Sequence, residues 1–515
     1  MGRDEVYDLV VVGGGVGGLA TAALARRLGL RVALLEAHTK LGGCAGYFDR
    51  GPYTFDAGAT ALMGLEPGEP VGDLLRCLGV DFAWERAAGY RVHLPDRTLD
   101  LDPDASAFEH ASDTAIPGRT RRQRTFWRIQ AAVGDALLKA AGRVPRMPVR
   151  SPDDLIHDLR ALGLAGIGAG VFGLLTVRDV LRLLRLDDDR AFRALIAMLL
   201  QDTAQAGPET VPFANAAACL QAYRQGMCRP KGGMKALAEG LGGRFAGLGG
   251  DLRTATKVDR VEALEGPSGA FAVVTRRRDR LIARQVAFNL PLDLAAGLLG
   301  RSLGGRLGRR ERQSRAVWSA FTAYLAIDRQ AVPDETPLFH HVLGSYDLPI
   351  HDGNNALISL SPLGDPGYGP DDVRVATMST HTAPDDWAGL DREAYVVRKA
   401  DYTGRMLAAL GKALPDAPSA LVHSEFASPR SFARYTRRTA GAVGGPPVSR
   451  RNSNALAVGS DVLGRGLWVV GDSVFPGQGT MAVVLSAIRV VEQLSGQSWS
   501  AIKAGRPVAV GTTSR

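Results

Sequence analysis

Three glycines near the N-terminus have the spacing of a phosphate-binding turn. Gly13, Gly15 and Gly18 follow the apolar run Leu9–Val12 and precede a helix-forming segment. A pyrophosphate can approach a backbone where side chains are absent and where amide groups point outward from a helix N-terminus. Glu36 follows Gly18 by 18 residues, about the spacing at which a carboxylate accepts hydrogen bonds from an adenosine ribose. The arrangement predicts a dinucleotide site for an unphosphorylated ribose, as in FAD or NAD.

A GxGxxG pattern alone is weak evidence in a chain with 62 glycines. Here a strand, a turn, a helix and an acid occur in the order that the motif requires. Two further glycine-containing segments, Leu41–Gly46 and Phe55–Thr60, follow soon after Glu36. They would expose more backbone to an extended cofactor, which favours FAD over NAD.

The elements that would position these residues are typical of an α/β protein. Short apolar runs bounded by turn residues predict strands, and apolar residues spaced three to four apart predict helices. A strand from about Val6, a helix ending near Gly29 and a second strand ending at Glu36 surround the glycine turn. The later predicted elements are a hairpin of Phe271–Thr275 and Leu281–Leu290, a helix over Arg392–Ala413, a strand over Gly466–Asp472 and a helix from about Thr480.

Length and composition limit the class of protein. At 515 residues the chain is too long for one simple core, so we expect two domains, which could be interleaved. The net charge of +9 favours anionic surfaces, and no nucleic-acid-binding module accompanies it. Four scattered cysteines fit a reducing compartment without disulfides, and the nine histidines lack the spacing of a metal site. The first strand begins too early to leave room for a signal peptide, so we expect a cytoplasmic protein.

The middle of the chain is helical and rich in arginine. Five arginines between positions 119 and 128 surround Phe126 and Trp127, and the uncharged run Leu162–Val177 follows. At sixteen residues this run is shorter than the roughly twenty that a membrane span needs. It fits either a buried core helix or a helix lying in a bilayer surface, where arginine and aromatic side chains suit the interface.

Four motifs together resemble the flavin-dependent carotenoid desaturase and isomerase family. They are VVVGGGVGGL at Val10–Leu19, LEAHTKLGGCAGYF at Leu35–Phe48, FDAGAT at Phe55–Thr60 and VVGDSVFPGQGTMAVVLSA at Val469–Ala487. The resemblance covers most of the chain and is strongest at its two ends. The FDAGATALMGLEPG segment most resembles the C-3',4' carotenoid desaturases, and the retinol saturases and amine oxidase flavoproteins are more distant relatives.

The resemblance implies FAD as the cofactor and a set of residues that contact it. By resemblance the Val258 backbone meets the adenine, Asp472 binds the ribityl chain, and the amides of Gly479, Thr480 and Met481 face the flavin pyrimidine. A helix N-terminus there would stabilise the negative charge of a reduced flavin. The implied contacts are Gly13, Gly15, Val16, Gly17, Gly18, Glu36, Gly42, Gly43, Cys44, Gly58, Ala59, Thr60, Val258, Gly471, Asp472, Gly479, Thr480 and Met481.

Two positions depart from the family pattern. Cys44 stands where many relatives have arginine, and Gln478 stands where some C-3',4' desaturases have glutamate. No metal is expected, and the sequence identifies no catalytic acid–base pair. The first departure leaves open which group faces the cofactor near position 44.

The resemblance also implies a domain order. A Rossmann-like FAD domain would be interleaved with a substrate domain of helices and antiparallel sheet. The expected segments are 1–90, 226–300 and 451–500 for the FAD domain, 91–225 for a helical, membrane-facing region, 301–450 for the substrate domain and 501–515 for a tail.

The expected function is oxidation of a carotenoid or related polyene, with hydride transfer to the flavin N5. An isomerase that uses reduced flavin and a retinol-saturase-like enzyme are close alternatives. A non-catalytic flavoprotein or carotenoid-binding protein is the rival from another class. The protein would be peripherally membrane-associated, because its substrate resides in the bilayer, and its electron acceptor would be oxygen or a quinone.

Overall fold

The computed structural model describes residues 6–265 and 269–506, so most of the predicted tail, residues 507–515, lies outside the described residues. Within the described ranges the chain forms two seven-stranded sheets, two two-stranded sheets and a group of helices. The strands are β1 (Val6–Val12), β2 (Val32–Leu35), β3 (Tyr47–Arg50), β4 (Tyr53–Asp56), β5 (Trp84–Arg86), β6 (Tyr90–His93), β7 (Thr98–Leu101), β8 (Cys228–Pro230), β9 (Asp251–Arg253), β10 (Val258–Ala263), β11 (Phe271–Thr275), β12 (Arg280–Phe288), β13 (Ser319–Asp328), β14 (Phe339–Leu343), β15 (Asn355–Leu360), β16 (Val373–Thr382), β17 (Leu421–Ala427) and β18 (Leu467–Val469).

The helices alternate with these strands at both ends of the chain and dominate its middle. They are α1 (Val16–Arg27), α2 (Pro70–Leu78), α3 (Ala105–Ala115), α4 (Thr120–Ala141), α5 (Pro152–Val171), α6 (Val177–Leu183), α7 (Arg190–Ala204), α8 (Phe213–Gln225), α9 (Met234–Gly247), α10 (Leu292–Leu298), α11 (Gly305–Ser314), α12 (Arg392–Ala413), α13 (Pro429–Thr436), α14 (Thr480–Ser495) and α15 (Trp499–Lys503).

The first sheet is Rossmann-like and collects strands from distant parts of the sequence. Its order is β10-β11-β12-β1-β2-β9, and β18 also pairs with β12. Four pairs in this sheet are parallel: β1 with β12, β1 with β2, β2 with β9, and β12 with β18. Such strands are covered on both faces, which explains the nearly continuous apolar sequence of β1 and β2. Helices α1 and α14 bury their apolar residues in one core against this sheet.

The second sheet is mostly antiparallel and has two different faces. Its order is β17-β13-β16-β15-β14-β6-β7, with β6 and β14 as its parallel pair. Because side chains alternate along a strand, Phe321, Ala323 and Leu325 of β13 pack toward α12. The intervening Ala320 and Thr322 face a large internal cavity. The sheet therefore forms one wall of that cavity.

The helices of the middle region pack against the β6, β7 and β14 end of the second sheet. Phe126, Trp127 and Phe192 lie in this core and are at most 1% exposed. The interpretation of Phe126 and Trp127 as interfacial residues is therefore wrong. Helix α4 presents these aromatic side chains inward. Its Arg124 pairs with Asp113, and Arg119, just before the helix, pairs with Asp188.

Several predicted elements are confirmed and others differ. The β1 start, the β11–β12 hairpin, the bounds of α12 and the start of α14 are as predicted. The uncharged run Leu162–Val177 is not one helix, because it covers the end of α5, a short 3-10 turn and the first residue of α6. Helix α5 begins earlier, where Ser151 accepts a hydrogen bond from the Asp154 amide and Pro152 occupies the first turn.

Candidate cofactor and substrate site

The glycine turn after β1 depends on the absence of side chains. Gly13 has a φ of +104°, and a Cβ on Gly18 would lie 2.1 Å from the Gly13 carbonyl oxygen. A Cβ on Gly15 would lie 2.5 Å from the side chain of Asn289. The turn therefore brings α1 against the end of the strand, and Gly13, Gly15 and Gly17 line the cavity without side chains.

Asn289 is a residue of this site that the sequence analysis missed. It follows β12, and its backbone amide donates to the Val12 carbonyl at 2.9 Å. With the side-chain oxygen toward the turn, its amide accepts from the Gly15 N–H at 3.0 Å and donates to the Val470 carbonyl at 3.2 Å. Asn289 thus connects the ends of β12, β1 and β18. Asn289 lies inside the predicted hairpin strand Leu281–Leu290, and a polar residue at the end of that apolar run was the available signal.

Glu36 lies directly beyond β2 and faces the glycine turn. Its two carboxylate oxygens accept hydrogen bonds from the backbone amides of Gly14 and His38, each at 2.6 Å. The carboxylate lines the cavity and retains lone pairs for further donors. Its position fits the predicted role of holding a ribose.

The second and third glycine segments lie beside the first turn. The Gly42 amide donates to the Gly14 carbonyl at 2.8 Å, and the Ala59 amide donates to the Cys44 carbonyl at 3.1 Å. A Cβ on Gly58 would lie 2.5 Å from the Cys44 carbonyl oxygen. The three segments therefore form one glycine-lined surface along the cavity, as an extended cofactor requires.

The C-terminal segment completes this surface. After β18, Gly471 and Asp472 reach the cavity, and the Gly471 amide donates to the Ser486 hydroxyl at 3.1 Å. Gly479 precedes α14, and the first residues of that helix, Thr480 and Met481, also line the cavity. All of the cofactor residues that the resemblance implies line this cavity except Gly18, which packs α1 on its strand.

Arg438 adds a positive charge that no motif predicted. One of its guanidinium nitrogens lies 2.6 Å from both Asp472 carboxylate oxygens, and the other donates to the Gly444 carbonyl at 2.8 Å. Burial lowers the pKa of the Arg438 guanidinium, but the carboxylate of Asp472 outweighs this effect and holds the pKa of Arg438 above the ordinary value of arginine. Burial also raises the pKa of the nearby Cys44 thiol, which the guanidinium opposes. A cation is therefore present beside Cys44, supplied from a distant segment.

The cavity has a volume of about 2210 Å³, larger than the roughly 300–1,000 Å³ of common ligand pockets. It extends from Glu36 and Val258 to an apolar compartment. The second sheet, α4, α5, α7 and α8 surround that compartment, and its lining residues include Met63, Leu137, Leu162, Ile167, Ala218, Phe339 and Leu357. One cavity can thus hold a dinucleotide and a second, apolar ligand.

Helix α5 borders this compartment and also faces outward. Leu162 and Ile167 line the cavity, while Leu164 is 91% exposed and Val171 is 63% exposed. The segment Pro152–Leu174 has a mean hydropathy of 1.3 in its most apolar window, of which 22% is buried, and by length and composition it could cross a membrane. A kink at Gly163, with a φ of +60°, divides the helix. The apolar compartment therefore adjoins an exposed apolar surface.

Comparisons with known proteins agree with this architecture. An NAD(P)-binding Rossmann-like domain matches residues 11–78. Prolycopene isomerase of Arabidopsis thaliana is 24% identical over 518 residues, which cover 96% of this chain and 83% of that protein. The all-trans-retinol 13,14-reductase of Homo sapiens is 45% identical over 64 residues, 12% of this chain and 10% of that protein.

Solved structures share the fold at low sequence identity. An oxidoreductase from Methanosarcina mazei has a TM-score of 0.64 at 16% identity, with 94% of this chain and 99% of that chain covered. Putrescine oxidase has a TM-score of 0.62 at 16% identity, with 96% and 99% covered. The fold is thus that of a two-sheet protein with a Rossmann-like domain.

Proposed function

Because the chain is an enzyme related to the FAD-dependent carotenoid desaturase and isomerase family, we propose that it is an oxidoreductase that acts on a carotenoid or related polyene. The observation that carries this proposal is the single cavity that joins the glycine-lined surface to the apolar compartment. Relatives whose names include prolycopene and all-trans-retinol support a long apolar substrate. We favour desaturation as the reaction.

The residues along the cavity fit FAD. The glycine surface leaves its backbone open to a pyrophosphate, and Glu36 can accept hydrogen bonds from a ribose. FAD, when bound, supplies a ring that accepts or returns a hydride. The N-terminus of α14 would place backbone amides at the flavin pyrimidine, and Asp472 with Arg438 would face the ribityl and phosphate region.

The rest of the chain would position the substrate and exclude water. Thr322 of β13 and Leu357 of β15 lie on one wall of the apolar compartment, and Ala218 of α8 lies on another. A narrow apolar enclosure holds a flexible polyene against the cofactor, and correct placement alone lowers a reaction barrier substantially. We assign segments 1–90, 226–300 and 451–500 to FAD binding, 91–225 to a helical, membrane-facing region and 301–450 to substrate enclosure. Residues 90–101 also contribute β6 and β7 to the second sheet.

The exposed apolar side of α5 supports peripheral contact with a cytoplasmic membrane surface. Leu164 and Val171 would enter the bilayer boundary, and the compartment behind them would receive a polyene from the lipid. The electron acceptor would be oxygen or a membrane quinone.

Anaerobic addition of a polyene to the yellow holoenzyme tests the proposed reaction. A desaturase would lose its flavin absorbance as the polyene is oxidised. An isomerase would convert a cis to a trans polyene only after reduction of the flavin with dithionite. A saturase would oxidise the reduced flavin as it reduces one double bond of the polyene. A protein that binds FAD and polyene but transforms neither would be a binding protein. A protein that takes up no FAD would refute all of these enzyme functions.

The cofactor residues have a separate test. Glu36→Ala and Asp472→Ala should both lower FAD affinity, measured by the flavin that remains bound after dialysis. Glu209→Ala is a control, because Glu209 pairs with the exposed Arg193 and lies outside the cavity. Full FAD retention by both variants would show that the site assignment is wrong.

A further inference from the structure

A half-buried carboxyl group lies in the wall of the apolar compartment. Asp202 stands in the last turn of α7 and lines the cavity together with Thr203. The Tyr223 hydroxyl of α8 donates to Asp202 Oδ2 at 2.9 Å. Among the residues that the structure describes, no lysine or arginine pairs with Asp202, and Oδ1 has no hydrogen-bond partner. The proposed reaction does not use this group.

The surroundings of Asp202 are aromatic and uncharged. The ring of Tyr223 lies 4.7 Å from that of Tyr90 and 5.8 Å from that of His341, measured between centroids. Burial lowers the pKa of His341 to about 3, so this histidine is neutral. Burial likewise lowers the pKa of His381, which lines the cavity. His381 is the basic side chain whose charge would act on Asp202, but burial disfavours its charged form, and no lysine or arginine of the described residues pairs with Asp202.

Two consequences follow for the carboxyl group. Burial raises the pKa of Asp202, and the Tyr223 hydrogen bond and the charge of His381 act in the other direction. A protonated carboxyl group can donate one hydrogen bond and accept others. An apolar ligand beside it can take part in none of these hydrogen bonds. A polar atom without a partner is costly away from water, so a pure hydrocarbon in this part of the cavity would leave Asp202 Oδ1 unpaired, while Oδ2 keeps its hydrogen bond from Tyr223.

The position of Asp202 relative to the cofactor surface is also defined. The Gln478 side-chain amide donates to the Thr203 carbonyl at 2.8 Å, and Gln478 immediately precedes Gly479 at the start of α14. Asp202 is therefore one residue from a direct contact with the loop assigned to the flavin. A polar group held by Asp202 would therefore lie near the loop that precedes α14.

We propose that Asp202, oriented by Tyr223, is a hydrogen-bonding subsite for a hydroxyl or carbonyl group on the polyene. The enzyme then prefers an oxygenated isoprenoid to the corresponding hydrocarbon. The inference rests on the proposed function, because it requires that the cavity bind a polyene. Asp202 acts in this inference as a specificity-determining residue.

Equilibrium binding of a matched ligand pair tests the subsite. The probes are all-trans-retinol and its deoxy analogue, in which a methyl group replaces the hydroxymethyl group, each titrated into the FAD-loaded protein with tryptophan fluorescence as the readout. The wild type should bind retinol about tenfold more tightly than the deoxy analogue, which corresponds to about 1.4 kcal/mol. Asp202→Leu should abolish this preference by weakening retinol binding and should not weaken binding of the deoxy analogue.

Further variants separate the subsite from effects on folding. Asp202→Asn keeps hydrogen-bonding groups and should retain part of the preference, while Tyr223→Phe should reduce it because the carboxyl loses its orienting partner. Glu209→Leu is a matched acid-to-apolar change at an exposed residue outside the cavity and should keep the wild-type preference. Circular dichroism and FAD content identify any variant that does not fold.

The outcomes distinguish the two proposals. Equal binding of both ligands by the wild type would overturn the subsite alone. So would a wild-type preference for retinol in Asp202→Leu, or a wild-type preference in both Asp202→Asn and Tyr223→Phe. Binding of neither ligand would refute the proposed function and the subsite together.

Discussion

Replacement of Arg229 by methionine should destabilise the protein by about 3–5 kcal/mol, the range found when one partner of a buried ion pair is removed. Arg229 and Asp56 are each 1% exposed, and their charged atoms lie 3.2 Å apart. Methionine fills much of the same space but leaves the Asp56 carboxyl in the protein interior without its cation. The loss of the guanidinium also removes its hydrogen bond to the Thr60 carbonyl, which measures 2.6 Å.

The pH dependence of this variant has a defined sign. Burial raises the pKa of Asp56, and the guanidinium of Arg229 opposes that rise. In the variant the pKa rises further, so the folded state favours the protonated acid. A group with a raised folded pKa stabilises the protein below its unfolded pKa, and this contribution is lost as pH rises through the folded value. Arg229→Met should therefore be less destabilised at pH 5 than at pH 8.

The site should also respond, because Thr60 lies on the glycine surface assigned to FAD. We expect Arg229→Met to bind FAD more weakly than the wild type. Urea unfolding followed by circular dichroism at pH 5 and pH 8, with flavin content measured in parallel, checks both effects. The double variant Asp56→Asn with Arg229→Met removes the uncompensated charge and should regain part of the stability.

Two results would refute this reasoning. One is a loss of less than about 1 kcal/mol at pH 8, the size expected of an exposed ion pair. The other is a double variant that is no more stable than Arg229→Met, which would mean that the unpaired charge is not the cause.

Three other perturbations have expected outcomes. Gly18→Ala should reduce FAD retention and lower the melting temperature, because its Cβ would lie 2.1 Å from a carbonyl oxygen; Gly168→Ala, whose Cβ meets nothing within 4 Å, is the control, and equal behaviour of the two would contradict the packing argument. Burial lowers the pKa of His341 to about 3. The neutral imidazole therefore stabilises the fold above its ordinary pKa of about 6.5, and about 2 kcal/mol of this stability should be lost when the pH falls to 5. His341→Leu should therefore lose less stability between pH 8 and pH 5 than the wild type in urea unfolding, and an equal loss would exclude this histidine as a cause. Leu164→Glu with Leu174→Glu, at positions 91% and 72% exposed, should weaken co-sedimentation with anionic phospholipid vesicles at least tenfold while FAD content stays the same, and unchanged sedimentation would refute contact through α5.

The sequence predicts local elements of this site better than its long-range partners. The glycine turn and Glu36 were identifiable because turn geometry and phosphate approach restrict both residue type and spacing. Arg438, Asn289 and Arg229 were not, because an ordinary arginine or asparagine has no local pattern that reveals which distant segment it contacts. Their roles depend on the packing of the two sheets.

The middle region illustrates a different limit. An arginine-rich segment with Phe126 and Trp127 has the composition of a membrane interface, yet these aromatic residues are buried in a core. Composition does not determine which side of a helix meets the rest of the protein, since neighbouring helices can cover either side. The exposed apolar residues occur instead on α5, which the uncharged run Leu162–Val177 indicated only in part.

The order of strands in the first sheet has a consequence for folding. β12 pairs with β1 on one side and with β18 on the other, so this sheet joins residues separated by more than 450 positions in the chain. Contacts at such separation form slowly, because long loops must close before any pairing can compensate for the lost chain entropy. During synthesis, the FAD surface cannot be completed until the segment from Leu467 through α14 has left the ribosome. Cofactor uptake should therefore be a late event in biogenesis, and a chain that ends before Leu467 should retain no FAD.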